Sequence, residues 1–328
     1  MAPVDASRTF EPFAVSSLDV GDGHLLYVEE VGSPHGLPVL WLHGGPGTGC
    51  TANHRTLFDP SLHRAVLFDQ RASGRSVPDA ADADVDWASI DMDHHVADIE
   101  AVRRLLGIDR WVVTGGSWGS VLGAAYAMRH PDRVLAVVLS AVSLGGRDEI
   151  DQLTELGHTY APDAWREFRD FLPVELRDRR LVAAYRELVM HPDPEVHAPA
   201  AYAWCRWEDA HVNVDDEPAI DGFVWDRYRE ARFRLAFARQ VTHCWAADSW
   251  LRPGELLEGA AGMGDVPCWL IHGARDRSST LDGPHALHAA WPGSELVVVD
   301  ADGHGGTGIT AEHRRVLAAL ATGALPTA

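Results

Sequence analysis

Ser117, Asp276 and His304 are the three residue types that together hydrolyse acyl bonds, and they occur in that order along the chain. A neutral serine hydroxyl is a poor nucleophile. A histidine must take its proton and later hand it to the leaving group, and a carboxylate must hold the correct imidazole tautomer and stabilise the imidazolium. Ser117 sits at the centre of Gly115-Gly116-Ser117-Trp118-Gly119, a G-x-S-x-G pattern between a β-branched run and a helical one. Such a turn lifts the hydroxyl out of the sheet edge and aims the next amide, that of Trp118, the same way. The second amide for a developing oxyanion is expected from His43-Gly44-Gly45-Pro46-Gly47, at Gly45 with Gly44 as the alternative. Asp282, Asp300 and Asp302 compete for the acid's place, and Asp276 is preferred because it follows the penultimate strand. His304 is preferred over His272 because it lies in a glycine-flanked loop just past a strand. Chemistry of this kind needs no metal and no organic cofactor.

The elements that must position these residues are legible in the apolar runs. Residues 15–31 read as a hairpin, and 38–42, 65–68, 111–114, 134–139, 266–271 and 295–299 read as strands. Helical spacing covers 96–106, 121–128 and 311–320. Alternating β and α units with polar loops at strand ends predict an α/β class, a doubly wound, mostly parallel sheet. Residues 1–142 and 253–328 form its core, and 143–252 form an inserted helical cap with helices near 164–171, 181–190, 200–211 and 225–238, punctuated by Pro192, Pro194, Pro199 and Pro218. Asp69, Arg71 and Arg75 follow a buried strand and are expected to brace the rim of the site. His94 and His95, adjacent on a helix start, do not face each other and read as a solvated cap rather than a metal site.

The chain has 328 residues, 46% hydrophobic, with a formal charge of −20. Nucleic-acid binding is disfavoured for want of basic clusters, and no stretch approaches a membrane span. Residues 1–20 mix charges among the apolar positions and do not read as a leader. Cys50, Cys205, Cys244 and Cys268 are scattered, which predicts a reduced, cytoplasmic protein. The charge mainly confers solubility, and it would also bias the surface towards cationic small molecules such as a free amine. Oligomeric state is not encoded in any feature we could read.

His43-Gly44-Gly45-Pro46-Gly47, Asp69-Gln70-Arg71 with Gly74-Arg75-Ser76, and Gly115-Gly116-Ser117-Trp118-Gly119-Ser120 together resemble the proline iminopeptidases, serine peptidases of the α/β-hydrolase fold. The resemblance implies release of an N-terminal residue, proline or another small apolar one, from peptides, amides or arylamides. The cap segment Trp204-Cys205-Arg206-Trp207-Glu208 is similar to the family's Trp-x-x-Trp-Glu, which implies Glu208 as receiver of the substrate amine with Trp204 and Trp207 beside it. A carboxylate between two indoles would hold an ammonium by charge-assisted bonding and cation–π contact. Two departures stand out. Ala238–His243 offers no second acid, and Ala141–Gly146 lacks the aromatics expected of a proline pocket. They imply weaker amine binding and argue against a strict proline preference. A carboxylesterase or an amino-acid amidase on the same scaffold stays open, as does a non-catalytic ligand-binding protein.

Overall fold

The computed structural model describes residues 11–213 and 223–324; residues 1–10 and Pro218 lie outside them. The described strands are β1 (Ala14–Asp19), β2 (Leu25–Gly32), β3 (Leu37–Leu42), β4 (His63–Phe68), β5 (Trp111–Gly116), β6 (Val134–Ser140), β7 (Cys268–Gly273) and β8 (Ser294–Val299). They form one sheet in the order β1-β2-β4-β3-β5-β6-β7-β8. The β1–β2 and β2–β4 pairs are antiparallel and the rest are parallel, as the sequence predicts.

Continuous apolar runs form the central strands because both faces are covered. On β3, Leu40 and Leu42 join one cluster with Val113 of β5, whereas Val39 and Trp41 join the opposite one with Val112. Each leucine so buried contributes about 1.5–3 kcal/mol. Helices α1 (Ala52–Arg55), α2 (Met92–Leu105) and α3 (Trp118–Arg129) punctuate the first half, and α2 and α3 pack on the Leu40 face. Asp91 caps α2 by accepting from the His94 amide at 2.9 Å. Its neighbour His95 is not solvated, contrary to expectation. It is buried, edge-on to Trp118, because the helix turns it inward.

Between β6 and β7 the described chain has no strand. It runs through α4 (Arg147–Thr154), α5 (Pro162–Phe171), α6 (Leu181–Val189), α7 (Pro194–Val212), α8 (Ala231–Ala246) and α9 (Glu255–Ala261). Helices α4 to α8 own a separate apolar cluster built around Trp204, Trp207, Phe168 and Tyr185, whereas Leu256 and Ala260 of α9 join the Leu40 face. The stretch expected as a helix over 225–238 divides instead. Residues Asp226–Arg229 form a 3-10 turn, Glu230 is extended, and α8 continues to Ala246. Helix α8 is bonded to the loop after β4. Gln240 Nε2 donates to the Arg71 carbonyl at 2.7 Å, and Arg239 donates to the Ala80 and Ala81 carbonyls at 3.2 Å. Helices α10 (Asp282–Ala290) and α11 (Thr307–Thr322) complete the chain, α10 on the Leu40 face and α11 on the Trp41 face.

Candidate active site

Register brings the loops together. Leu42 pairs with Gly115, Gly116 with Ser140, and Gly273 with Val299, so the segments that follow β3, β5, β7 and β8 leave the same edge of the sheet. Ser117 has φ 57° and ψ −125°, a conformation costly for any L side chain. Sterics around it explain the flanking glycines. A Cβ on Gly115 would lie 2.4 Å from the Gly119 carbonyl oxygen, and one on Gly119 would lie 2.1 Å from that of Leu42. Strand, turn and helix therefore approach each other at a distance no other residue permits. The Trp118 amide opens α3, where first-turn N–H groups have no intrahelical acceptor and the helix dipole favours negative charge.

Asp276 and His304 meet across the β7 and β8 loops. His304 Nδ1 is 2.9 Å from Asp276 Oδ2. The other carboxylate oxygen accepts from the Ser278 and Ser279 amides, both at 2.9 Å, and from Ser278 Oγ at 2.8 Å. Burial works to raise the Asp276 pKa, but the His304 charge, its hydrogen bond and the Ser279 amide outweigh it and hold the carboxyl well below its ordinary range. For His304 the largest influence is burial, which lowers its pKa. Asp276 and then Glu208 more than offset that, so the net shift is upward. No hydrogen bond joins Ser117 Oγ to His304 among the described residues, although both line the same cavity. The competing acids lie elsewhere: Asp302 accepts from the Ile309 amide at 2.7 Å, and Asp282 opens α10. His272 is spent between the Val142 amide at 3.0 Å and the Ser279 carbonyl at 2.7 Å.

The glycine loop after β3 reaches Ser117 directly. A Cβ on Gly44 would stand 3.3 Å from that of Ser117, and Gly45, at φ 110°, borders the cavity with its amide unbonded among the described residues. Gln70 fixes the arrangement. Its amide hydrogen goes to His43 Nε2 and its Nε2 to the His43 carbonyl, both at 3.0 Å, while its Oε1 accepts from Trp118 Nε1 at 2.9 Å. Asp69 and Arg71 brace the same rim as expected: Asp69 holds the Cys50 amide and Arg75, and Arg71 forms a buried fork on Asp98.

Two spaces meet at Ser117. The narrow one, about 50 Å³, is walled by Trp118, Val121, Ile150, Leu153 and Trp245. The wide one, about 670 Å³, runs past Gly45, Thr48, His54, Asp209 and Arg227. Glu208 of α7 borders both, together with Ser117 and His304. Trp204 Nε1 donates to its Oε1 at 3.1 Å, and His211 Nε2 lies 3.0 Å from its Oε2.

Trp204 stands beside Glu208 as expected, but neither it nor Trp207 is open to a substrate. They are 0% and 1% exposed and border neither space, because their helix face packs into the cap's own core. Trp207 stacks on Phe168 with centroids 5.3 Å apart, and Trp204 reaches the site only by holding Glu208. Three residues escaped the sequence reading. Ser278 lies 2.8 Å from His304 Nδ1 and was foreshadowed by the Asp-x-Ser spacing. Glu149, whose carboxyl burial pushes upward, accepts from Ser143 Oγ and from the Leu144 and Gly145 amides at the wall of the narrow space. Arg227 had no signal beyond its charge.

The profile of the α/β hydrolase fold matches residues 38–306. A protein of Streptomyces coelicolor named a probable proline iminopeptidase is 44% identical over 299 residues, covering 90% of each chain. The proline iminopeptidase of Xanthomonas citri is 40% identical, covering 89% of this chain and 91% of its own. Among solved structures, the proline iminopeptidase of Mycobacterium smegmatis superposes with a TM-score of 0.58 at 21% identity, covering 95% of this chain and all (100%) of that one, a likeness of fold.

Proposed function

We infer the reaction from the premise that this chain belongs to the α/β-hydrolase fold family and, within it, to the proline iminopeptidases, serine aminopeptidases of that fold. Ser117 is the nucleophile, His304 its general base and then the acid for the leaving amine, and Asp276 the group that fixes the imidazole. The hydroxyl attacks the scissile carbonyl as His304 Nε2 takes its proton, and the oxyanion is received by the Gly45 and Trp118 amides. Collapse expels the leaving amine with the proton from His304. Water then cleaves the acyl-enzyme by the same steps in reverse.

Glu208 reads the substrate's α-ammonium. The observation that carries this is the convergence of Ser117, His304 and a buried carboxylate on one cavity. An ammonium there meets a carboxylate to which no Lys or Arg is bonded among the described residues, and the charge-assisted contact places the first carbonyl at Ser117. The aliphatic and indole walls of the narrow space suit a small apolar first side chain, proline included, without the ring-stacking that a strict proline pocket would need. The 143–252 segment is accordingly a cap that selects substrate, while the sheet core performs the chemistry.

Ser117→Ala with the fold intact should abolish turnover of aminoacyl arylamides. A comparison of each arylamide with its N-acetylated form isolates amine reading: the acetylated form should react at least tenfold more slowly. Undiminished turnover by the alanine variant would remove Ser117 from the mechanism, and equal rates on the two substrates would remove Glu208 as the amine anchor.

A further inference from the structure

Arg227 lies in the wall of the wide space that opens at Ser117, and among the described residues no carboxylate is paired with it. In a chain of net charge −20, a cation facing a cavity without an acidic partner calls for an explanation. Its position is fixed on three sides. Nη1 donates to the Thr48 carbonyl, the guanidinium carbon lies 3.9 Å from the Phe233 ring centroid, and Trp225 flanks it at 5.5 Å. The segment that carries it is held by Asp209, which accepts from the Val224 and Trp225 amides and from Asn213 Nδ2 at 3.0 Å. Asp209 is thereby consumed, although it borders the same space. His54, also in that wall, has its pKa lowered to about 4, chiefly by burial, so it is uncharged at neutral pH. Burial also pulls the Arg227 pKa down from its ordinary value, with the Asp69 charge opposing from beyond hydrogen-bond reach. A guanidinium in that state gains most from an arriving anion.

The two spaces differ in what they offer. Glu208 borders both, whereas Arg227 borders the wide one alone. With the ammonium at Glu208 and the scissile carbonyl at Ser117, the leaving amino acid extends into the wide space. The anion it carries is its terminal carboxylate. We propose that Arg227 receives this carboxylate, and hence that short peptides with a free C-terminus, dipeptides first among them, are the substrate class. This rests on the aminopeptidase reading above. The overall acidic field repels a carboxylate, so a local planar cation, held by stacking and by Thr48, is what admits a zwitterionic peptide.

The test compares kcat/KM for prolyl-alanine, its C-terminal amide and a prolyl arylamide in the wild type, Arg227→Met and Arg227→Lys. In the wild type the free acid should exceed the amide by at least about tenfold, the range of a charge-assisted bond. Arg227→Met should bring that ratio to about one, and Arg227→Lys should keep part of it. Equal rates on acid and amide in the wild type would overturn the proposal. So would a methionine variant that loses the same factor on all three substrates, since Arg227 would then serve only to prop Thr48 and the glycine loop. Should the methionine variant not fold, the wild-type ratio and the lysine variant decide. If neither dipeptide nor amide is cleaved while a fluorophosphonate still labels Ser117, the aminopeptidase reading itself fails and takes this one with it.

Discussion

The carboxylates around His304 govern when it can work. As a base it must be neutral, and its pKa is raised above 6.5 by Asp276 and Glu208 against the pull of burial. Activity therefore rises with pH through that raised value. Glu208→Gln removes one of the upward influences, so the acidic limb of kcat/KM should move to lower pH. At the same time kcat/KM for free-amine substrates should fall by about 10- to 100-fold. A pH–rate profile of the variant checks both, and an unmoved limb would show that Glu208 is electrostatically remote from the base. Asp276→Asn leaves one acceptor oxygen, which the Ser278 and Ser279 groups hold, and turns an NH2 towards His304 Nδ1, so kcat should drop by about three to four orders of magnitude. Stopped assays at high enzyme concentration would measure the residue of activity.

Elements matter here through how closely they can approach. A Cβ on Gly119 meets the backbone of Leu42 at 2.1 Å, and backbone in a central strand cannot step aside. Gly119→Ala should cost about 3 kcal/mol or more, seen as a lowered denaturant midpoint. One helical turn on, a Cβ on Gly123 meets only side-chain methyls, Leu139 Cδ2 at 3.1 Å and Leu42 Cδ1 and Val113 Cγ1 at 3.5 Å. Side chains can rotate, and alanine regains about 1 kcal/mol of helix propensity. Gly123→Ala should therefore lie within about 1 kcal/mol of wild type. The same contrast explains what could be read in advance. Strands β3 and β5 announce themselves because burial on both faces demands unbroken apolar runs, and the glycines of the elbow because only that residue fits. Helix α10 was not foreseen, since Gly283 and Pro284 obscure its first turn while Leu287 supplies its packing. That Trp204 and Trp207 are closed off from the substrate spaces is not legible in the sequence for a related reason. Helical spacing puts Trp204 one turn from Glu208 and Trp207 one turn from Trp204, but does not tell that both indoles turn to the cap's interior. Arg227 was invisible because its meaning depends on which carboxylates do not reach it.

At the scale of the whole molecule, the charge of −20 acts on every substrate before contact. A cationic aminoacyl arylamide is drawn in, and salt screens that attraction over about 10 Å at 0.1 M. Its kcat/KM should decline as ionic strength is raised, whereas a zwitterionic dipeptide of zero net charge should respond much less. Parallel salt titrations of the two substrates measure the difference, and identical slopes would place the effect in the active site rather than in the field.

Ser117 remains the residue least suited to the place it occupies. With φ at 57° and ψ at −125°, it holds a backbone shape that glycine alone adopts freely. Natural selection has thus kept the reactive hydroxyl at a point where the chain would be better off without any side chain. Ser117→Gly should give an inert protein that melts higher than the active one, by an amount corresponding to about 1–3 kcal/mol, readable by calorimetry. Any programme that breeds this protein for heat tolerance alone would tend to discard the atom that makes it useful, so thermal selection has to be coupled to a demand for turnover.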